Sequence, residues 1–271
     1  AGAALAQEVP GNVLALRDIQ YAQVDGKPLK LDLYCTETTE GAPPLILWIH
    51  GGAWKKGNKG LIDPSMLRLA GDGYFLASID YRLKDISIHP KQIHDCKAAL
   101  RWLRANADDY GYDPDRILVA GASAGGHLSL VLGMSQGVEK LEGTVGSHLE
   151  ASTEDIVGII DFFGPAELTE MRKASPQFAE VCPPELAKRA SPLTYLSPDD
   201  PPLLILHGDA DEIVSIEQSK LLHERYQKAG LTSQLIVVEG KGHGGPQFVG
   251  DDSYNKIFAF LQKVAPLPYL F

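Results

Sequence analysis

The sequence is short of three things, and each shortage excludes something. Cysteine is the first. Cys35, Cys96 and Cys182 are the 3 cysteines in 271 residues, too few and too scattered for a disulfide framework or a thiolate metal site. One disulfide with one thiol left over is the most they allow, and inert thiols are the expected reading. Positive charge is the second. Lys and Arg number 25 against 35 Asp and Glu, for a formal net charge of -10. No basic cluster offsets that balance, so a phosphate backbone is repelled and nucleic acid is not an expected partner. A long apolar run is the third. None approaches the roughly 20 residues that cross a bilayer as a helix, so no membrane span is expected. Internal repeats and Ser/Gly-rich linkers are also missing, which argues for one domain.

What is present suits a packed core, with 44% hydrophobic and 22% charged residues. The first residues, Ala1-Gly-Ala-Ala-Leu-Ala-Gln7, carry no methionine. Ala4-Leu5-Ala6 before Gln7 has the small-x-small form of a signal-peptidase site. Residues 1–12 therefore read as a flexible N-terminus or signal-peptide remnant, and a secreted or periplasmic protein is expected. Residues 13–271 read as the folded domain.

Within that domain short apolar runs alternate with helical patterns. Ile19 to Val24 and Leu29 to Thr36 alternate like an edge hairpin turning at Asp25-Gly26. The runs Pro44–His50, Tyr74–Asp80, Arg116–Ala120, Ile156–Asp161, Pro202–His207 and Gln234–Val238 are nearly continuous in apolar residues. Strands buried on both faces read this way, as in a parallel sheet. Between them, Ile93, Cys96, Leu100, Leu103 and Ala107 recur at helical spacing. Ser215 with Gln218 forms a capping-box pattern ahead of Leu222, Tyr226 and Ala229, with Gly230 as the stop. Tyr254, Ile257, Phe258, Leu261 and Val264 make a last stripe. Alternating strands and helices predict a doubly wound α/β fold. Residues 137–155 are polar and Gly-rich, and the Pro-broken stretch at about 165–200 is expected to form a small cap or lid.

The sharpest motif is Gly121-Ala-Ser123-Ala-Gly125, after one buried run and before a helical run from Gly126 to Met134. In a strand–turn–helix setting, G-x-S-x-G is a nucleophile elbow. The turn is crowded, and every residue flanking Ser123 is small. A serine hydroxyl needs a base, and in such folds the acid and then the base lie further along the chain. Leu206-His-Gly-Asp209-Ala-Asp211-Glu212 offers two acids. The distal Asp211 reaches back over the sheet edge more readily than Asp209, which reads as a turn former bonding its own backbone. The base is expected at His243, in the loop Gly240-Lys-Gly242-His243-Gly244-Gly245 after the last strand. His89, His94, His127, His148 and His223 sit on helices or surface-like segments, and His207 ends a strand beside glycine. A third piece, His50-Gly51-Gly52-Ala53-Trp54, closes the first long buried run. A tetrahedral intermediate needs amides aimed at its oxyanion, and Gly52, Ala53 and Ala124 are the expected donors. His50 is expected to brace this loop. Trp54 is expected to wall the substrate pocket, with core packing as the alternative.

Together these pieces resemble the α/β-hydrolase family. The His-Gly-Gly-x-Trp loop, Asp80-Tyr81-Arg82-Leu83, the helix around Ala99-Leu-Arg-Trp-Leu-Arg104, and Gly121-Ala-Ser-Ala-Gly-Gly126 look more specifically like feruloyl-esterase and acetyl-xylan-esterase carboxylesterases. That group is often labelled by a bifunctional esterase of gut Bacteroidetes. The resemblance covers roughly residues 19–265. It implies an eight-stranded mostly parallel sheet, a Ser123/Asp211/His243 triad, a structural role for Asp80-Tyr81-Arg82, no metal and no organic cofactor. Ala53 stands where many relatives have a third glycine, and Val214-Ser215 where proline is common. The activity implied is hydrolysis of short acyl or aromatic esters. The partner implied is a small-molecule or polysaccharide-linked ester. An amide-cleaving hydrolase with the same triad is the rival reading, weakened by the lack of a paired-Glu motif to grip an amino terminus.

Overall fold

Eight strands form one sheet in the order β1-β2-β4-β3-β5-β6-β7-β8. The computed structural model describes residues 9–37, 41–83, 89–174, 182–245, 248 and 250–268. Ala4-Leu5-Ala6 lies outside the described residues, as does Phe178 of the expected lid. Strands β1 (Val13–Val24) and β2 (Lys27–Thr36) are the expected hairpin, and both Asp25 and Gly26 take positive φ in its turn. β1 pairs antiparallel with β2, and β2 antiparallel with β4 (Phe75–Ile79). The remaining pairs, through β3 (Leu45–Ile49), β5 (Ile117–Ala122), β6 (Gly158–Phe162), β7 (Leu203–Gly208) and β8 (Ser233–Val238), are parallel.

Parallel strands need helical crossovers, and those cover both faces. On one face Leu45, Leu47, Ile49, Ile117 and Val119 pack against α2 (Lys91–Ala105), α4 (Ala124–Met134) and α7 (Glu217–Lys228). On the other, Ile46, Trp48, Leu118 and Ala120 pack against α1 (Pro64–Gly71) and α8 (Asp251–Val264). Strands β3 to β7 are largely apolar because helices cover both their faces, with Ser78, Asp161 and His207 as buried polar exceptions. β1, at the sheet's end, alternates instead. α4 follows the central strand and all eleven of its residues are buried.

Local differences from the sequence pattern have plain causes. The stripe from Ile93 to Ala107 is two helices: α2 stops at Asn106, whose side-chain amide bonds the Trp102 carbonyl at 2.7 Å, and α3 (Ala107–Tyr110) follows. α7 ends as expected, with Gly230 N–H on the Gln227 carbonyl and Leu231 N–H on the Tyr226 carbonyl. Its start differs. Gln218 does not close a capping box. Its Oε1 accepts instead from the amides of Ala166 and Glu167, at 3.0 and 2.7 Å, and so anchors the entry to residues 165–200. That segment carries α5 (Leu168–Ala174), α6 (Pro184–Ala190) and a short turn, Pro192–Tyr195. Its apolar side chains Leu186, Leu193 and Tyr195 pack inward on the α4 face. The three cysteines are free, and burial pushes the pKa of each thiol up, so none is a ready nucleophile.

Candidate active site

Parallel pairing puts the C-terminal ends of β3, β5, β6, β7 and β8 along one sheet edge. In register, Ile49 meets Gly121, Ala122 meets Phe162, Phe162 meets Leu206, and Gly208 meets Val238. The loops that leave those ends are therefore neighbours, although they lie far apart in sequence. Such an edge is where α/β sheets bind ligands.

Ser123 sits between β5 and α4 with φ 55° and ψ −117°, a backbone that non-glycine residues seldom adopt. The turn closes so tightly that a Cβ on Gly125 would lie 1.9 Å from the Ile49 carbonyl oxygen. That contact explains the small residues around Ser123. Ser123 occupies the helix N-cap, yet its hydroxyl makes no capping bond. It lies 2.8 Å from His243 Nε2 instead. His243 Nδ1 is 2.6 Å from Asp211 Oδ2. The carboxylate takes Nδ1–H, which leaves Nε2 free to accept the serine proton. Asp211 Oδ1 accepts from the amides of Ile213 and Val214, at 2.8 and 2.9 Å. Burial alone would raise the Asp211 pKa. Hydrogen bonds from His207, His243 and the Val214 amide outweigh it and hold the carboxyl well below the usual carboxylate range. Asp211 is thus a firm anion facing an imidazole.

The structure separates the two acids. Asp209 does not bond its own turn. Its Oδ1 accepts from Gly240 N–H at 2.5 Å, tying the acid loop to the loop that carries His243. A second tie runs from the Ala210 amide to the Lys241 carbonyl at 2.9 Å. Glu212 is exposed.

The 50–54 loop lies against the elbow. A Cβ on Gly51 would be 2.8 Å from the Ala122 carbonyl oxygen and 3.5 Å from Ser123 Cβ. Gly52 has φ 123°, and a Cβ there would meet the Lys56 carbonyl oxygen at 1.9 Å, so no other residue fits. Its carbonyl accepts from Lys55 and Lys56. Among the described residues, nothing accepts from the amides of Gly52, Ala53 or Ala124. The N-terminus of α4 adds a positive end beside them. His50 braces the loop as expected: Nδ1–H donates to the Gly51 carbonyl at 2.7 Å and the ring stacks on Tyr81 with centroids 4.4 Å apart. Burial lowers the His50 pKa to about 4, so the brace is neutral. Tyr81 Oη donates to the His50 carbonyl, and Arg82 forks onto Asp95 at 2.6–3.0 Å, which fixes the 80–82 segment behind the loop.

Trp54 packs inward. Its residue is 9% exposed and lies in the α4-side core. Indole Nε1–H donates to His127 Nδ1 at 3.2 Å, and His127 Nε2–H donates to the Ala190 carbonyl at 2.7 Å. The indole thus ties the 50–54 loop to α4 and α6.

Sequence reasoning passed over two residues here. His207, noted only as ending a strand beside glycine, reaches the Val214 carbonyl at 2.8 Å, lies 3.2 Å from Asp211 Oδ2 and accepts from Ser219 Oγ at 2.6 Å. Phe163, just past β6, sits with its ring 4.6 Å from that of His243. The signal available was the Asp161-Phe-Phe-Gly-Pro165 run at the end of a buried strand. Among the described residues no group of three or more His, Cys, Asp or Glu side chains is arranged to hold a metal ion. Among them, too, no helix is long and apolar enough to cross a membrane.

The BD-FAE family model matches residues 31–226, well over half of the chain. The chain belongs to the BD-FAE family, within the α/β-hydrolases. The BD-FAE match runs from β2 into α7, taking in Ser123 and Asp211, and stops short of His243, which the fold itself brings to the site. Esterase LipC of Mycobacterium tuberculosis is 32% identical over 215 residues, 74% of this chain and 53% of that protein. The chain thus spans about half the length of that relative. Solved structures match further. A truncated carbohydrate esterase from gut microbiota superposes with a TM-score of 0.80 at 30% identity, covering 92% of this chain and 95% of that one. Est2, an esterase of the planctomycete Thermogutta terrifontis solved with butyrate bound, gives a TM-score of 0.81 at 26% identity over 97% of both chains.

Proposed function

We propose that this chain hydrolyses carboxylic esters through an acyl-enzyme on Ser123. The observation that carries the reading is the unbroken hydrogen-bond chain from Asp211 through His243 to Ser123, on a strained turn beside the Gly52 and Ala53 amides, for which no acceptor lies among the described residues. Ser123 Oγ attacks the ester carbonyl while His243 Nε2 takes its proton. The amides of Gly52, Ala53 and Ala124 receive the oxyanion, each worth on the order of 3 kcal/mol in the transition state. His243 then protonates the leaving alcohol, and Asp211 holds the imidazole in the right tautomer and offsets its charge. Water, deprotonated by His243, releases the acid.

For substrate we propose short acyl esters and feruloyl or acetyl groups, free or carried on a polysaccharide. Family membership supports this, as do a gut-microbial carbohydrate esterase and a butyrate-bound esterase among the structural neighbours. Leu186, Leu193 and Tyr195 add support, since these side chains pack against the core instead of forming an open apolar channel.

A panel of p-nitrophenyl esters of rising chain length, methyl ferulate, acetylated xylan and an aminoacyl-p-nitroanilide tests both statements. Acetate and butyrate esters should be turned over fastest, with methyl ferulate accepted. A maximum at long chains would replace the substrate reading with a lipase-like one. Preference for the anilide would make the enzyme an amidase. Failure of a fluorophosphonate probe to label Ser123 would remove the mechanism.

A further inference from the structure

His243 rides on a loop with glycine at 240, 242, 244 and 245, a backbone with little stiffness of its own. Its two ring nitrogens are held by Asp211 and Ser123, but two in-plane bonds leave the ring free to tilt about the line joining them. Phe163 fills that gap. Its ring lies 4.6 Å from the imidazole, centroid to centroid, tilted by 60°. It is also 6.3 Å from His207 and 5.0 Å from Phe248 further along the same loop. A Cβ on Gly244 would touch Phe163 Cζ at 3.5 Å. The ring is thus wedged between the imidazole, the loop that bears it and the histidine behind Asp211.

The backbone of Phe163 has φ 46°. That is the left-handed region, which a bulky side chain enters only against steric resistance and which glycine enters freely. The Phe163 amide donates to the Leu206 carbonyl at 2.9 Å, so the parallel ladder holds the residue in that conformation. A phenyl group where a glycine would sit more easily needs a reason, and the ring's contacts supply one. We infer that Phe163 is a positioning residue: its strained backbone aims the ring at His243 and keeps the imidazole in the plane that joins Ser123 to Asp211. The inference rests on the proposed role of His243 as the base.

Phe163→Gly relieves the backbone and deletes the ring. Phe163→Leu keeps most of the volume and loses the flat face. Both are to be assayed with p-nitrophenyl acetate, with folding followed by near-UV circular dichroism and thermal melting. The downfield proton resonance of the His243 Nδ1–H to Asp211 bond is to be recorded by NMR. For Phe163→Gly, kcat should fall about tenfold to a hundredfold, the scale that small misplacements of catalytic groups produce. KM should stay within about twofold of the wild type, because the ring acts on the base and not on ester binding. The Nδ1–H resonance should broaden or vanish in a protein that is still folded. Phe163→Leu should fall between the wild type and Phe163→Gly. If both variants keep kcat and the resonance, the inference is overturned. If kcat falls only in proportion to the unfolded fraction, it is overturned as well, since the ring would then be packing alone. A wild-type enzyme that is not labelled at Ser123 by a fluorophosphonate would instead overturn the parent reading.

Discussion

Ser123 departs from helix-capping habit because its hydroxyl is wanted elsewhere. Serine at an N-cap ordinarily bonds an amide of the first turn. Here the positive φ turns Oγ away from the helix and onto His243. Ser123→Ala should therefore lower ester turnover by at least about a thousandfold while the melting curve stays put, because the members of such a triad act as a unit. Activity above a tenth of wild type would contradict the assignment. The two aspartates divide differently. In Asp211→Asn the amide oxygen can still take the Ile213 and Val214 amides, which turns the NH2 toward His243 Nδ1. The imidazole must then accept at Nδ1 and carry its proton at Nε2, facing the serine, where it cannot act as base. Loss of about a thousandfold or more in kcat follows. Asp209→Asn keeps an oxygen for Gly240 N–H, so a loss of less than about tenfold is expected. The reverse ranking in parallel assays would move the acid to Asp209.

At the scale of elements, three pieces of chain meet through one indole and one imidazole. Trp54 belongs to the 50–54 loop, His127 to α4, and Ala190 to the end of α6. Burial lowers the His127 pKa to about 4, so the ring stays neutral and keeps one donor and one acceptor. Trp54→Ala should cost about 3 kcal/mol of stability, in the range for buried aromatic truncations. It should also lower kcat/KM for p-nitrophenyl acetate and methyl ferulate by similar factors, because the loop that presents the oxyanion amides loses its tie. Selective damage to the aromatic ester would return Trp54 to the pocket wall. The strands themselves were legible, since strands covered on both faces are largely apolar. Gln218 was not. Its spacing from Ser215 satisfies a local pattern, but the backbone amides of residues 166 and 167 offer it better partners from 52 and 51 residues away.

Across the whole molecule, buried titratable groups oppose one another. Asp161, under the first turn of α4, is fully buried; Oδ1 accepts from Gly164 N–H and Oδ2 has no partner among the described residues. Burial pushes its pKa up to about 7 from 3.8. The folded state therefore keeps a proton that the unfolded chain gives up, and the associated stability is lost as pH rises from about 4 through 7. Asp200, raised by burial to about 6, acts in the same sense. His50 and His127, lowered by burial to about 4 from 6.5, act in the other: their contribution is present above pH 6.5 and lost as pH falls toward 4. Asp161→Asn removes the larger carboxyl effect. It should raise stability at pH 8 by about 2–4 kcal/mol relative to wild type, an upper range set by the size of the shift. It should also make stability climb more steeply between pH 4 and 6.5, as the histidines act with less opposition. Urea denaturation of both proteins at pH 4.5, 6.5 and 8 measures this. Identical pH dependence would mean that Asp161 ionises as an ordinary carboxyl.

The sequence by itself determined the strand order along the chain, the elbow at Ser123, the loop at 50–54 and the histidine at 243. These are local facts: a glycine demanded by a close turn, an apolar run demanded by two covered faces, a polar residue at a strand end. The tertiary structure decided every relation between residues on different strands. It brought Asp211 and His243 to one hydrogen bond, gave Asp209 a partner on the neighbouring loop, turned Trp54 inward to His127, and set Phe163 against His243. Those relations follow from register in a parallel sheet, where the ends of five strands line up because each pairs with the next. No spacing within the chain encodes which atoms meet across that edge.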